Sequence, residues 1–153
     1  MILINGNLMV DKISLDSGFS FGRGAFETIL VKEKPLFLRE HIERLNSGLN
    51  TLNVNKKITE AEIYTAAQKL NCKNCVLKIM VSEKNTIITT REIAYKHSDY
   101  EKGFGLGLSK VRRNAYSNLT YVKSFNYIEN IIERDIVINK GRSEERRVGK
   151  ECS

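Results

Sequence analysis

Several absences bound what this 153-residue chain can be. No apolar run approaches the ~18–20 residues that a membrane-crossing helix needs, so a membrane partner is not expected. The start, "MILINGNLMV", has no charged leader and meets Asn5-Gly6 early, which argues against a signal peptide and for a cytoplasmic protein. Cysteines number three and histidines two. The lone pair Cys72-x-x-Cys75 has neither a second pair nor close histidines, His41 and His97 being the only ones, so no metal site is expected. That pair follows a helical stretch and runs into a strand, the reverse of a redox motif, and reads as two plain thiols. Repeats, low-complexity tracts, RNA-binding signatures and helix-turn-helix signatures are also missing.

Basic residues exceed acidic ones by 25 to 18, a net charge of +7. The excess is scattered among acids, and only Lys56-Lys57, Arg112-Arg113 and Arg146-Arg147 are adjacent. Nothing forms the basic stripe of a nucleic-acid protein, and an anionic small molecule suits the charge as well. Apolar residues at 41% allow a globular core in one domain with the beginning of a second.

The order of elements predicts an α+β fold. "MILINGNLMV" alternates around Asn5-Gly6, a hairpin signal. "DKISLDSGFSFGRG" reads as a polar loop, and "AFETILVKEKPLFL" as two strands around Lys34-Pro35. From Arg39, Ile42, Leu45, Leu49 and Leu52 recur at helical steps. Thr59-x-x-Glu62 is a capping box opening a helix to about Leu70. "CVLKIMVS" and "NTIITTREIAY" form a hairpin turning at Glu83–Asn85. A charged link, the strand "FGLGLSKV", an Asn/Ser-rich loop and an extended run into Lys123 follow. Asn126-x-x-Glu129 then caps a last helix with Tyr127, Ile131 and Val137 on its apolar face. Strands and helices in separate runs indicate an antiparallel sheet with two helices, not a doubly wound parallel sheet.

Three short stretches could carry chemistry. In "FGRGAFETI", two glycines before a strand permit positive φ or a close backbone approach, and by themselves mark a strand-start turn. Because a strand follows, it is not a phosphate-binding loop. "REHIERL" puts His41 and Arg44 on one helix face; Arg44 could clamp a phosphate, or simply pair with Glu40 in water. Lys123 stands between an extended segment and a helix start, where partial desolvation would lower its pKa and free an amine for Schiff-base chemistry; otherwise it is a surface lysine.

In that order, "FGRGAFETI", "HIERL" and "VKSFNYIENII" resemble the fold-type IV pyridoxal-phosphate enzymes, a family of branched-chain and D-amino-acid aminotransferases and 4-amino-4-deoxychorismate lyase. The resemblance covers residues 1 to about 141. It implies that Lys123 forms the Schiff base with pyridoxal 5'-phosphate, that Arg44 binds the cofactor phosphate, and that Tyr127 bonds the pyridoxal hydroxyl. Asn126 matches an asparagine after the lyase lysine, and His41 belongs to the motif without a catalytic role. Phe26 stands where D-amino-acid enzymes have tyrosine, and the short distance to "FGRG" with the spacing to "HIERL" favours the lyase, which releases pyruvate and 4-aminobenzoate. Arg23 replaces a common aspartate. A small amino substrate and a homodimer are implied. The rivals are a transaminase of the same family and a non-catalytic binding domain of the same fold.

The resemblance divides the chain into a small N-terminal domain, 1–111, and the first strand and helix of an incomplete cofactor-binding domain, 112–141. Residues 142–153 are expected to be a disordered, non-native tail. Seven of the last thirteen residues are charged, and Arg142–Cys152 matches the translation of a common sequencing-library adapter. Without the family's acidic partner for the pyridine nitrogen, a role that Glu144, Glu145 and Glu151 are not given, the activity of this chain is expected to be weak or absent.

Overall fold

The computed structural model describes residues 1–8 and 12–146. They form two compact units. The first comprises Met1–Ile93 with Val122–Phe125 and the second Ala94–Tyr121 with Asn126 onward. The join lies after Ile93, where the sequence reading placed it at residue 111.

The first unit holds β1 (Ile2–Ile4), α1 (Ser17–Phe21), β2 (Gly24–Val31), α2 (Leu38–Thr51), α3 (Glu60–Lys69), β3 (Cys75–Ser82) and β4 (Thr86–Arg91). The strands form one antiparallel sheet in the order β1-β4-β3-β2. Alternation decides which side is covered. Ala25, Ile29 and Val31 of β2 and Leu77, Ile79 and Val81 of β3 are buried, while the residues between them are half-buried, except Glu27. Ile42, Leu45 and Leu49 of α2 and Ile63, Ala66 and Ala67 of α3 complete the core. The expected capping box is present: Glu62 N–H donates to Thr59 Oγ1 at 3.3 Å, and Thr59 N–H donates to Glu62 Oε2 at 2.7 Å.

Three readings need correction here. The loop before "FGRG" contains α1, capped by Asp16, whose carboxylate accepts from the Gly18, Phe19 and Lys84 amides, Ser82 Oγ and Asn85 Nδ2. Burial raises its pKa, but the hydrogen bonds from Ser82, Lys84, Phe19 and Asn85 outweigh that and hold it at about 2. "PLFL" is no second strand: Val31 and Pro35 make one bridge, Phe37 turns left-handed at φ 50°, and α2 begins at Leu38. Cys72 and Cys75 are not separate thiols but joined in a disulfide. Positive φ at Asn71 and Asn74 folds the chain tightly there, bringing the two Cα atoms to 5.8 Å, within bridging range. The Asn5-Gly6 turn is present, but the hairpin arm over residues 9–11 lies outside the described residues.

The second unit holds α4 (His97–Lys102), β5 (Leu106–Leu108), a 3₁₀ turn (Asn118–Tyr121), α5 (Ile128–Ile138) and β6 (Glu144–Arg146). The charged link is thus helical at α4, and "NLTY" turns rather than extends. Tyr127, not Asn126, caps α5, without a side-chain hydrogen bond. Of the expected apolar face only Val137 is buried. β5 and β6 pair in parallel. Within the described part of the tail, Glu144–Arg146 pairs as a strand, through backbone groups that every non-proline residue carries whatever its side chain. The rest of the tail reading lies outside the described residues. Among the described residues no helix is long and apolar enough to cross a membrane.

Candidate active site

β2 is where the sequence concentrates its site residues, because its free edge takes up a distant segment. Val122–Phe125 runs antiparallel to it, with Ala25 opposite Ser124. Phe26 N–H donates to the Lys123 carbonyl, and Phe125 N–H to the Gly24 carbonyl, both at 2.9 Å. The two motif glycines divide the work. Gly22 ends α1 at φ 69°, in the left-handed region. A Cβ on Gly24 would lie 2.3 Å from the Phe125 ring, so only glycine lets the segment approach. Arg23 ties the turn to the end of α2, donating from Nε to Leu52 O and from Nη2 to Asn53 O, both at 2.7 Å.

This pairing lodges Lys123 beside Phe26, with Nζ 4.6 Å from the ring centroid. Lys123 is half-buried, and burial lowers its pKa; Glu27 pushes it back up and Arg44 adds to the lowering. A lowered pKa raises the share of neutral, nucleophilic amine near neutral pH.

Glu27 is the residue that sequence reasoning missed. It is 1% exposed and takes the covered phase of β2 shared with Ala25, Ile29 and Val31. Arg44 grips its carboxylate bidentately, Nε donating to Oε1 at 2.6 Å and Nη2 to Oε2 at 2.7 Å. His41 Nδ1 lies 2.8 Å from Oε2. Burial raises the Glu27 pKa, but the Arg44 and His41 hydrogen bonds overcome this and the net shift is downward. The motif "HIERL" therefore faces inward to Glu27, and Arg44 pairs with Glu27 and not with Glu40. The Arg44 side chain stays 59% exposed, and the fork to Glu27 does not engage Nη1. The signal available in the sequence was a carboxylate at an apolar phase of an alternating strand, fourteen residues before a histidine.

The structure thus brings Lys123 and Arg44 into one unit around Phe26 and Glu27. Tyr127 is at the start of α5 in the second unit and is exposed. Among the described residues no cluster of His, Cys, Asp and Glu could hold a metal.

The profile of the family "Amino-transferase class IV" matches residues 24–144, a span that contains Phe26, Glu27, His41, Arg44, Lys123 and Tyr127. Aminodeoxychorismate lyase of Bacillus subtilis (strain 168) is 28% identical over 167 residues, covering 94% of this chain and 57% of the relative. 4-Amino-4-deoxychorismate lyase of Pseudomonas aeruginosa superposes with a TM-score of 0.79 at 20% identity, over 99% of this chain and 62% of that one. A hypothetical aminotransferase of Mycobacterium tuberculosis, in its PLP-bound form, gives 0.73 at 13% identity, over 99% and 63%. These two likenesses establish the fold. The chain spans somewhat more than half the length of the relatives it matches.

Proposed function

Because this chain belongs to the amino-transferase class IV family, which is pyridoxal phosphate-dependent, we infer that it carries the small-domain side of a lyase active site acting on 4-amino-4-deoxychorismate. The observation that carries this reading is the half-buried Lys123 amine with its lowered pKa, fixed by backbone pairing to β2 beside the Arg44–Glu27 fork. The chemistry of the set fits the cofactor: an amine suited to an aldehyde, and a guanidinium with Nη1 donors left for a phosphate dianion.

Lys123 Nζ would be the attachment point, and Arg44 would hold the phosphate through Nη1 while Glu27 fixes its orientation. His41 supports the same carboxylate. Tyr127 would serve the pyridoxal hydroxyl. When bound, the cofactor supplies an aldehyde for amine exchange and a ring that takes up an electron pair from the substrate α-carbon. Lys123 Nζ, as a free amine, would act as the general base for the α-carbon proton. The overall reaction would release pyruvate and leave the aromatic amine. The B. subtilis relative supports the lyase over a branched-chain or D-amino-acid transaminase, which would use the same lysine. The working form would be a cytoplasmic homodimer as long as the relatives, and the 153-residue chain alone would turn over weakly or not at all.

Borohydride reduction in the presence of pyridoxal phosphate, followed by peptide mapping, should label Lys123, and Lys123→Ala should remove the label. Label on another lysine, or on none, refutes the reading. With a chain extended to the relatives' length, pyruvate release from 4-amino-4-deoxychorismate without a keto-acid acceptor separates lyase from transaminase. A non-catalytic domain would bind no cofactor.

A further inference from the structure

One bonded pair of side chains in the first unit takes no part in the site above. Cys72 follows α3, Cys75 opens β3, and their sulfurs are joined. The two residues are only three positions apart. A disulfide restrains the unfolded chain by an amount that grows with the logarithm of its loop, so this ring is among the weakest braces a disulfide can make. The turn also has other ties. Cys72 N–H donates to Ala67 O at 2.9 Å, Asn74 N–H donates to Lys32 O at 3.3 Å, and Cys75 sits opposite Val31 in the β2–β3 ladder. Asn71 and Asn74 take left-handed angles, which asparagine adopts more readily than most residues. Backbone geometry therefore keeps the two cysteines within bridging range whether or not the sulfurs are bonded.

Access to the pair is uneven. Cys72 is 7% exposed and belongs to the core cluster, whereas Cys75 is half-buried. Yet it is Cys72 that lines a cleft of about 290 Å³ beside the end of α3. Val31, Tyr64 and Ala67 give the cleft apolar walls. Lys34 and Lys73 also line it, against one carboxylate, Glu33. Two lysines draw in an anionic thiol and favour its thiolate, the form that attacks a disulfide. Water reaching the half-buried Cys75 solvates the thiolate that leaves. In the reducing cytoplasm proposed above, disulfides act by cycling rather than by bracing.

We propose that the Cys72–Cys75 pair is a thiol–disulfide exchange site, and that the cleft beside Cys72 admits a small thiol bearing carboxylates. The small thiolate attacks Cys72 Sγ. The bond between the two cysteines breaks, and its electron pair leaves on Cys75 Sγ, which water protonates. A second small thiolate attacks the small-molecule sulfur of the mixed disulfide and departs with it, leaving Cys72 as a thiolate. Two small thiols are oxidised to one disulfide and the protein link is reduced; the same steps in reverse restore it. Nothing in this cycle uses Lys123, whose segment pairs with the other end of β2, at Gly24 and Phe26.

The test uses the 153-residue chain with Cys152→Ser, so that two cysteines remain. Under native conditions it is equilibrated in a graded series of reduced and oxidised glutathione, then alkylated and digested. Trypsin cuts after Lys73 and places the two cysteines on separate peptides once the link is open. The link should open and reclose reversibly within the series. Cys75→Ser has no second thiolate to expel the adduct and should hold glutathione on the Cys72 peptide. Lys34→Glu combined with Lys73→Glu should slow opening by glutathione about threefold or more at low salt, and leave opening by uncharged mercaptoethanol within about twofold. If Cys75→Ser loses its fold, the comparison of the two thiols on the linked chain carries the test. A link that opens only in urea, cysteines that alkylate even in oxidised glutathione, or a charge reversal that treats both thiols alike each overturns the proposal. So does a folded Cys75→Ser that takes up no glutathione on Cys72.

Discussion

Both compact units are supplied with isoleucine, yet they place it in opposite ways. In the first unit Ile29, Ile42, Ile63 and Ile79 are buried. In the second, Ile128, Ile131, Ile132, Ile136 and Ile138 of α5 are all exposed, and Val137 and Glu133 are the only buried residues among those described. The composition of α5 is not at fault, since its sequence is richer in aliphatic residues than that of α2. What differs is a surface to pack on. α2 and α3 have a four-stranded sheet with an alternating apolar face, whereas the strands available to the second unit are three residues each. An apolar stripe predicts burial only where a complementary layer exists to receive it.

The largest expected effect tests this directly. Leu49→Ala should cost about 2–5 kcal/mol, because the vacated volume lies in a closed core. Ile132→Ala, half-exposed on α5, should cost under about 1 kcal/mol. Urea denaturation of both variants reads the difference, and equal losses would erase the contrast between the units.

Next come the buried carboxylates. Glu27 receives Arg44 and His41, whereas Glu133 receives a hydroxyl, that of Ser109, at 2.5 Å. Glu27→Gln should cost about 1–3 kcal/mol and Glu133→Gln about 1 kcal/mol or less. Glu27→Gln also removes the upward push on Lys123, so the pH midpoint for acylation of that amine should fall. An unchanged or raised midpoint would show that Glu27 does not act on Lys123.

Asp16 is a third point of difference, as a buried capping carboxylate without counterpart in the second unit's described helices. Its pKa is about 2 in the fold against an ordinary 3.8. A depressed carboxylate stabilises fully above its unfolded value, so the contribution is present above about pH 4 and fades as the pH falls through the window down to about 2. Asp16→Asn should lose on the order of 1–2 kcal/mol near neutral pH and show a flatter stability profile across that window. An identical acid profile in the variant would rule out the linkage.

The smallest effect belongs to the helix starts. Thr59→Ala removes a capping box and should cost about 1 kcal/mol, read by the same denaturation. α5 has no side-chain cap to lose.

Local patterns carried much of the fold. The Ile42–Leu45–Leu49 spacing marked α2, Thr59-x-x-Glu62 marked the start of α3, and the break at Glu83–Asn85 marked the hairpin of β3 and β4. Misreadings fell where distant groups decide. α1 looked like a loop because the partners of Asp16 include Ser82, Lys84 and Asn85, more than sixty residues away. "PLFL" looked like a strand, but Phe37 took a left-handed turn that sequence alone does not announce. Motif order singled out Lys123 and Arg44, which the fold places beside β2, while Glu27 appeared only as an anomaly in the alternation of β2.

The sequence by itself determined where α2, α3, β3 and β4 form, which face of each is apolar, and which lysine and arginine merited attention, because those properties depend on neighbours within a few positions. Only the tertiary structure decided that Arg44 turns to Glu27, that Lys78 and Lys123 meet on one aromatic ring, and that Cys72 closes on Cys75. Those outcomes depend on the strand register of β2, β3 and the Lys123 segment, and on turns whose backbone angles are set by the assembled fold. Register is fixed by burial of the whole sheet face at once, not by any one strand.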